Sequence, residues 1–229
     1  MRAMRGDTFA AALLHASLPL VLALVAVIAV PARASEGPAA TGQCSAEAVP
    51  PAHAERKADT FFSLVEQAWE VGAEYLVTLQ DFRDIDVFTL QVNRAWRFAK
   101  GLELQAGGGF FQSFGNNTGY LAGAQSDSTA TGLAAGGGIR YWLVHLAPVA
   151  LYVDGSVQIL LTPKESFPAG GSGLNAFLRV GAGLSYDLNP RFAVELVYHF
   201  AHVSNAAGRA PQNPGWTGHG GGVFVRFRL

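Results

Sequence analysis

The chain has 229 residues, half of them hydrophobic and 14% charged, with a formal net charge of −1. That length is enough for one domain, and the balanced charge excludes both a basic nucleic-acid-binding surface and a long acidic tail. The 27 glycines fall mostly inside patterned segments, which favours a barrel or sandwich over a helical bundle.

Residues 1–34 read as a signal peptide. Arg2 and Arg5 give a positive start, 18–30 an apolar run, and Ala32-Arg33-Ala34 a small-x-small cleavage site before Ser35. An uncleaved anchor over 9–30 is the competing reading. Residues 35–60, rich in Ala, Pro and Glu, show no sustained period and read as a flexible N-terminal segment. The single cysteine, Cys44, has no partner for an internal disulfide and no His or Cys neighbours for a metal, so it reads as a free thiol. No metal or other cofactor is expected.

From Trp69 onward the sequence alternates with a period of two in eight segments. The first sets Trp69, Val71, Ala73, Tyr75, Val77 and Leu79 against Glu70, Gly72, Glu74 and Thr78. In the second, Phe88, Leu90 and Val92 oppose Thr89, Gln91 and Asn93. The third sets Leu102, Leu104 and Phe110 against Glu103, Gln105 and glycines, and the fourth Leu133, Ile139 and Tyr141 against glycines and Arg140. The fifth opposes Leu151, Val153 and Val157 to Asp154, Ser156 and Gln158; the sixth, Leu178, Val180 and Leu184 to Asn175, Arg179 and Ser185. The seventh is RFAVELVYHFAHVSN, residues 191–205, and the eighth opposes Val223, Val225 and Phe227 to Phe224, Arg226 and Arg228.

Glu70, Glu74, Glu103, Asp154, Glu195, Arg140, Arg179, Arg226 and Arg228, of both signs, all share the non-apolar face of these segments. A soluble sandwich would expose that face and hide the apolar one. A lipid-embedded barrel inverts the arrangement, with paired charges and glycines inside. The expected fold is therefore all-β: an eight-stranded antiparallel transmembrane β-barrel of the outer membrane over residues 61–229. Eight strands leave a lumen that side chains fill, so no open pore is expected. The expected links after segments two, four and six are short (99–100, 144–147 and 189–190). Those after three, five and seven are long (112–128, 162–173 and 206–218), as for periplasmic turns and outer loops. Trp69, Tyr75, Tyr141, Tyr186 and Tyr198 read as wall and girdle aromatics.

In the seventh segment Phe192, Val194, Leu196, Tyr198 and Phe200 share one face, and His202 and Ser204 continue it. Two residues along a strand set the Cβ atoms of His202 and Ser204 ~7 Å apart, a gap an imidazole spans to reach a hydroxyl. Asn205 follows, with an amide able to donate to an oxyanion. A base and a nucleophile at the outer end of a lipid-facing strand imply a lipid substrate. Glu195 and His199 point the other way, into the lumen. A three-His metal site from 199, 202 and 219 fails for that reason. His219, on the face of Thr217, reads as a surface residue or a second orienter. Asn116-Asn117-Thr118 is read as a turn rather than a glycosylation site.

His202-Val203-Ser204-Asn205-Ala206, followed by Pro211-Gln212-Asn213-Pro214-Gly215 and a closing strand, resembles the outer-membrane lipid A 3-O-deacylases of the PagL family. The resemblance implies a serine esterase that hydrolyses the ester-linked 3-hydroxyacyl chain at position 3 of lipid A without a metal. It implies His202 as base, Ser204 as nucleophile and Asn205 as oxyanion donor, with lipid A, or lipopolysaccharide, of the outer leaflet as partner. A homodimer is left open.

In that family an acid follows the motif by about a dozen residues. Here that position falls near Thr217, and no Asp or Glu occurs after Glu195. Three readings stand: a Ser–His dyad oriented by Thr217 or Asn213, a carboxylate from another strand or loop, or an inactive, non-catalytic barrel. The segment Ala206-Ala207-Gly208 is one residue longer than the family pattern, and a backbone N–H near Ala207 or Gly208 is a candidate second oxyanion donor. Mass spectrometry of lipid A separates a hydrolase from an acyltransferase, which would add a chain, and from a structural or adhesion barrel.

Overall fold

The computed structural model describes residues 63–79, 83–117, 126–163, 167, 172–205 and 215–229. The expected signal peptide, the segment 35–60 with Cys44, and the candidates Gly208 and Asn213 lie outside the described residues.

Eight long strands build the fold: β1 (Leu64–Thr78), β2 (Arg83–Phe98), β3 (Leu102–Asn117), β4 (Ala130–Leu146), β5 (Val149–Leu161), β6 (Leu174–Asp187), β7 (Phe192–Asn205) and β8 (Trp216–Arg228). A two-residue bridge, Ser126–Asp127, adds to the end of β3. Each strand pairs antiparallel with the next, and β8 returns to β1 from Ala68↔Arg228 to Thr78↔Gly218. The sheet closes on itself, so every long strand has two neighbours. At ~3.3 Å per residue and a tilt of ~40°, a strand like β7, of 14 residues, rises ~35 Å, more than the apolar band of ~25 Å needs.

The period of two decides the faces. Leu133, Val157, Val180 and Leu196 stand outward and are more than half exposed, while Glu70, Glu103, Glu195 and Arg226 are sealed inside. An apolar outer wall around a charged interior is stable only with hydrocarbon outside.

The lumen is packed in layers. In its ionic layer Arg140 lies 2.7 Å from Glu70, 3.0 Å from Glu195 and 3.4 Å from Glu103. Arg226 pairs with Glu66, Glu70 and Glu103, and Arg179 with Glu74. Trp142 Nε1 donates to Glu103 and the Tyr152 hydroxyl to Glu195. Buried charges persist only when paired in this way. Toward the long-loop end the lumen is apolar: Leu76, Ile85, Phe111, Phe177, Val203 and Trp216 pack together with Phe167. Glycine makes room for the large rings. A Cβ on Gly183 would sit 2.2 Å from the Tyr152 ring, so any other residue there displaces it.

Three expected boundaries shift. A bulge between Trp142 and Val144 keeps the ladder intact, so β4 runs to Leu146 and its turn is Ala147-Pro148 rather than 144–147. β3 continues to Asn117, inside the stretch expected as loop, because the β2 ladder holds it. β8 starts at Trp216, not after 218. The buried Trp216 ring donates to the carbonyl of Ile85, and its backbone pairs with Val203. Thr217 is consequently a strand residue.

Candidate functional site

β7 brings His202 and Ser204 to the long-loop end on the outward face, alternating with the buried inward residues Ala201 and Val203. In the ladders on either side, Leu178 of β6 and Thr217 of β8 stand opposite His202, and Ala176 stands opposite Ser204. His202 is thus flanked by an aliphatic side chain on one strand and a hydroxyl on the other.

The hydroxyl is used. Thr217 Oγ1 lies 2.8 Å from His202 Nδ1. The opposite edge of the imidazole lies over the start of β8, where a Cβ on Gly215 would come within 3.1 Å of Cε1 and 3.5 Å of Nε2. Gly215 immediately precedes Trp216, whose ladder partner is Val203. The edge of the ring that carries Nε2 thus lies against a residue with no side chain.

Below His202 the wall is grooved. A shallow cleft of about 460 Å³ runs from His202 and Thr217 past Phe200, Leu178 and Val180 to Val157 and Gly155. Gly155 lacks a side chain to fill it, and a Cβ there would meet nothing nearer than the Arg179 carbonyl at 3.5 Å. The lining is mostly hydrocarbon and suits an extended alkyl chain.

The other candidates separate cleanly. His199 faces the lumen, 2.6 Å from Glu74 and 2.9 Å from Asp154. Glu195 lies in the ionic layer, on the far side of the wall from His202. His219 shares the outward face of Thr217 but bonds through Nδ1 to the Tyr198 hydroxyl at 2.5 Å and lies tilted beside the Phe200 ring, so it does not orient His202. These placements rule out the three-His arrangement. Asn205 ends β7 opposite Asn175.

Sequence reasoning found the pair on β7 from its alternation. It did not find the groove, because Gly155 and Leu178 come together only through the β5–β6–β7 register.

The family model of the lipid A 3-O-deacylases (PagL) matches residues 86–226. The chain belongs to this family. The match spans β7 and the start of β8, and so takes in His202, Ser204 and Thr217. PagL enzymes act on lipid A in the outer membrane, and this barrel is accordingly a deacylase-like outer-membrane protein. Among solved structures, the outer-membrane enzyme PagL matches with 16% identity and a TM-score of 0.47, over 70% of this chain and 99% of that one. Neisserial surface protein A matches with 12% identity and a TM-score of 0.48, over 72% and 97%. The outer-membrane protein OprG from Pseudomonas aeruginosa matches with 12% identity and a TM-score of 0.44, over 75% and 99%. No curated protein matches the chain.

Proposed function

We propose that this protein is an outer-membrane esterase that hydrolyses the ester-linked 3-hydroxyacyl chain at position 3 of lipid A. Ser204 is the nucleophile and His202 the general base. In the productive tautomer Nδ1–H donates to Thr217 Oγ1, which leaves Nε2 to accept a proton. Nε2 takes the Ser204 proton as Oγ attacks the ester carbonyl. The tetrahedral oxyanion is met by the Asn205 amide and by a backbone N–H near Gly208. His202 then protonates the departing sugar oxygen, leaving an acyl-serine. A water, deprotonated by the same Nε2, attacks that ester and releases the 3-hydroxy fatty acid with Ser204 restored.

The observation that carries this reading is the Thr217–His202 bond. It supports a base held from behind at the head of an apolar groove. The bilayer itself delivers the substrate, and the groove suits the acyl chain next to the ester.

The test is mass spectrometry of lipid A from cells expressing the wild type, Ser204→Ala and His202→Ala. Loss of one 3-hydroxyacyl mass with the wild type, absent with both variants, is the expected result. An unchanged spectrum with correctly inserted wild-type protein overturns it. That second outcome belongs to the competing reading, a non-catalytic barrel, which draws its support from the hydroxyl of Thr217 standing near where the family carries an acid.

A further inference from the structure

The wall has a second feature of chemical interest, at the other end and on other strands. Arg97, Arg140, Arg179, Arg226 and Arg228, on the lumen face, each contact a carboxylate. Arg94 does not. It follows Leu90 and Val92 on the outward face of β2, and among the described residues it makes no ion pair. Its guanidinium stands 5.2 Å from the ring of Trp69, its ladder partner on β1, and 5.9 Å from that of Trp96. Its Nη2 donates to Gln67. Its Nη1 is buried with no hydrogen-bond partner among the described residues.

A cation on the lipid face is expensive and is tolerated where it reaches the headgroup boundary or meets an anion there. Two tryptophans close by, Trp69 level with Arg94 and Trp96 two residues further along, mark that boundary, and their faces favour a cation beside them. The site lies near the end of β2 that leads into the short turn Ala99–Gly101, opposite the end of the barrel that carries His202. With short turns on the periplasmic side, the leaflet there is phospholipid.

We propose that Arg94, framed by Trp69, Trp96 and Gln67, binds the phosphate of a phospholipid of the periplasmic leaflet. The charge of the guanidinium, which no carboxylate among the described residues neutralises, and its fork geometry fit a phosphodiester. The acyl chains of that lipid lie along the wall over Val92 and Leu104. The role is a lipid-anchoring site, independent of the deacylase reading.

The experiment uses the purified full chain in a neutral detergent, with native mass spectrometry and tryptophan fluorescence as readouts. Short-chain phosphatidylglycerol, diacylglycerol and inorganic phosphate are added in separate arms. The wild type is expected to retain phosphatidylglycerol, with a shift in tryptophan emission. Arg94→Gln weakens retention about tenfold and Arg94→Lys less, as expected for loss of a charge-assisted contact. Neither diacylglycerol nor phosphate is retained, and lipid A deacylation by Arg94→Gln matches the wild type. Retention by Arg94→Gln equal to the wild type, in a barrel still showing the shifted gel mobility of the folded form, overturns the proposal. So does retention of diacylglycerol equal to that of phosphatidylglycerol, or binding of phosphate alone.

Discussion

Thr217 Oγ1 and His202 Nδ1 face each other at 2.8 Å across the β7–β8 ladder. A hydroxyl in that position orients the ring but adds no negative charge to steady an imidazolium. Thr217→Val removes the bond and is expected to lower the deacylation rate about tenfold, the worth of one ordinary hydrogen bond. Thr217→Asp puts a carboxylate beside Nδ1 and is expected to raise the rate by an order of magnitude or more, given that removing a triad's acid costs ~10⁴. Rates on lipid A in detergent micelles check both. A Thr217→Val variant as fast as the wild type would remove Thr217 from the site.

Groups that act as one unit do not add. Ser204→Ala and His202→Ala are each expected to abolish acyl release, and the double variant to be no slower than either alone. A loss in the double variant equal to the product of the two single losses, measured on the same micellar substrate, would separate the residues into independent roles.

The groove below His202 makes a specificity prediction. Gly155→Leu fills it while the local backbone has room for a Cβ. Activity on long-chain lipid A is expected to fall, while hydrolysis of a short-chain chromogenic ester persists. Equal loss on both substrates would mean that the groove does not hold the acyl chain.

The ionic layer predicts a stability effect. Arg226 is fully buried among Glu66, Glu70 and Glu103. Arg226→Gln leaves a carboxylate cluster without one of its cations and is expected to cost about 3–5 kcal/mol. A lower urea midpoint in lipid vesicles would register this. Unchanged stability would mean that the remaining arginines, with water, suffice.

Much of this was legible before any coordinates, for a physical reason. In a barrel wall the side-chain period is two, so each residue of 192–204 declares its face, and the charged residues declare which face is inside. His202, Ser204, Glu195 and His199 were therefore assigned to sides correctly. What alternation does not carry is register. Thr217 read as a loop residue because Trp216 and the glycines after it lack a strong pattern, yet the bond from Trp216 to Ile85 sets the start of β8. Arg94 was missed for the opposite reason: one cation in an otherwise apolar stripe means little until the two tryptophans beside it are seen.

Phe167 belongs to the connection between β5 and β6, yet its ring is fully buried, 5.0 Å from that of Phe111 and 6.1 Å from that of Trp216. Surface display schemes treat such connections as free ground for tags and epitopes. Here a graft that discards this one phenylalanine uncorks the mouth of the cylinder, and the tryptophan left without its stopper is the immediate chain neighbour of Thr217.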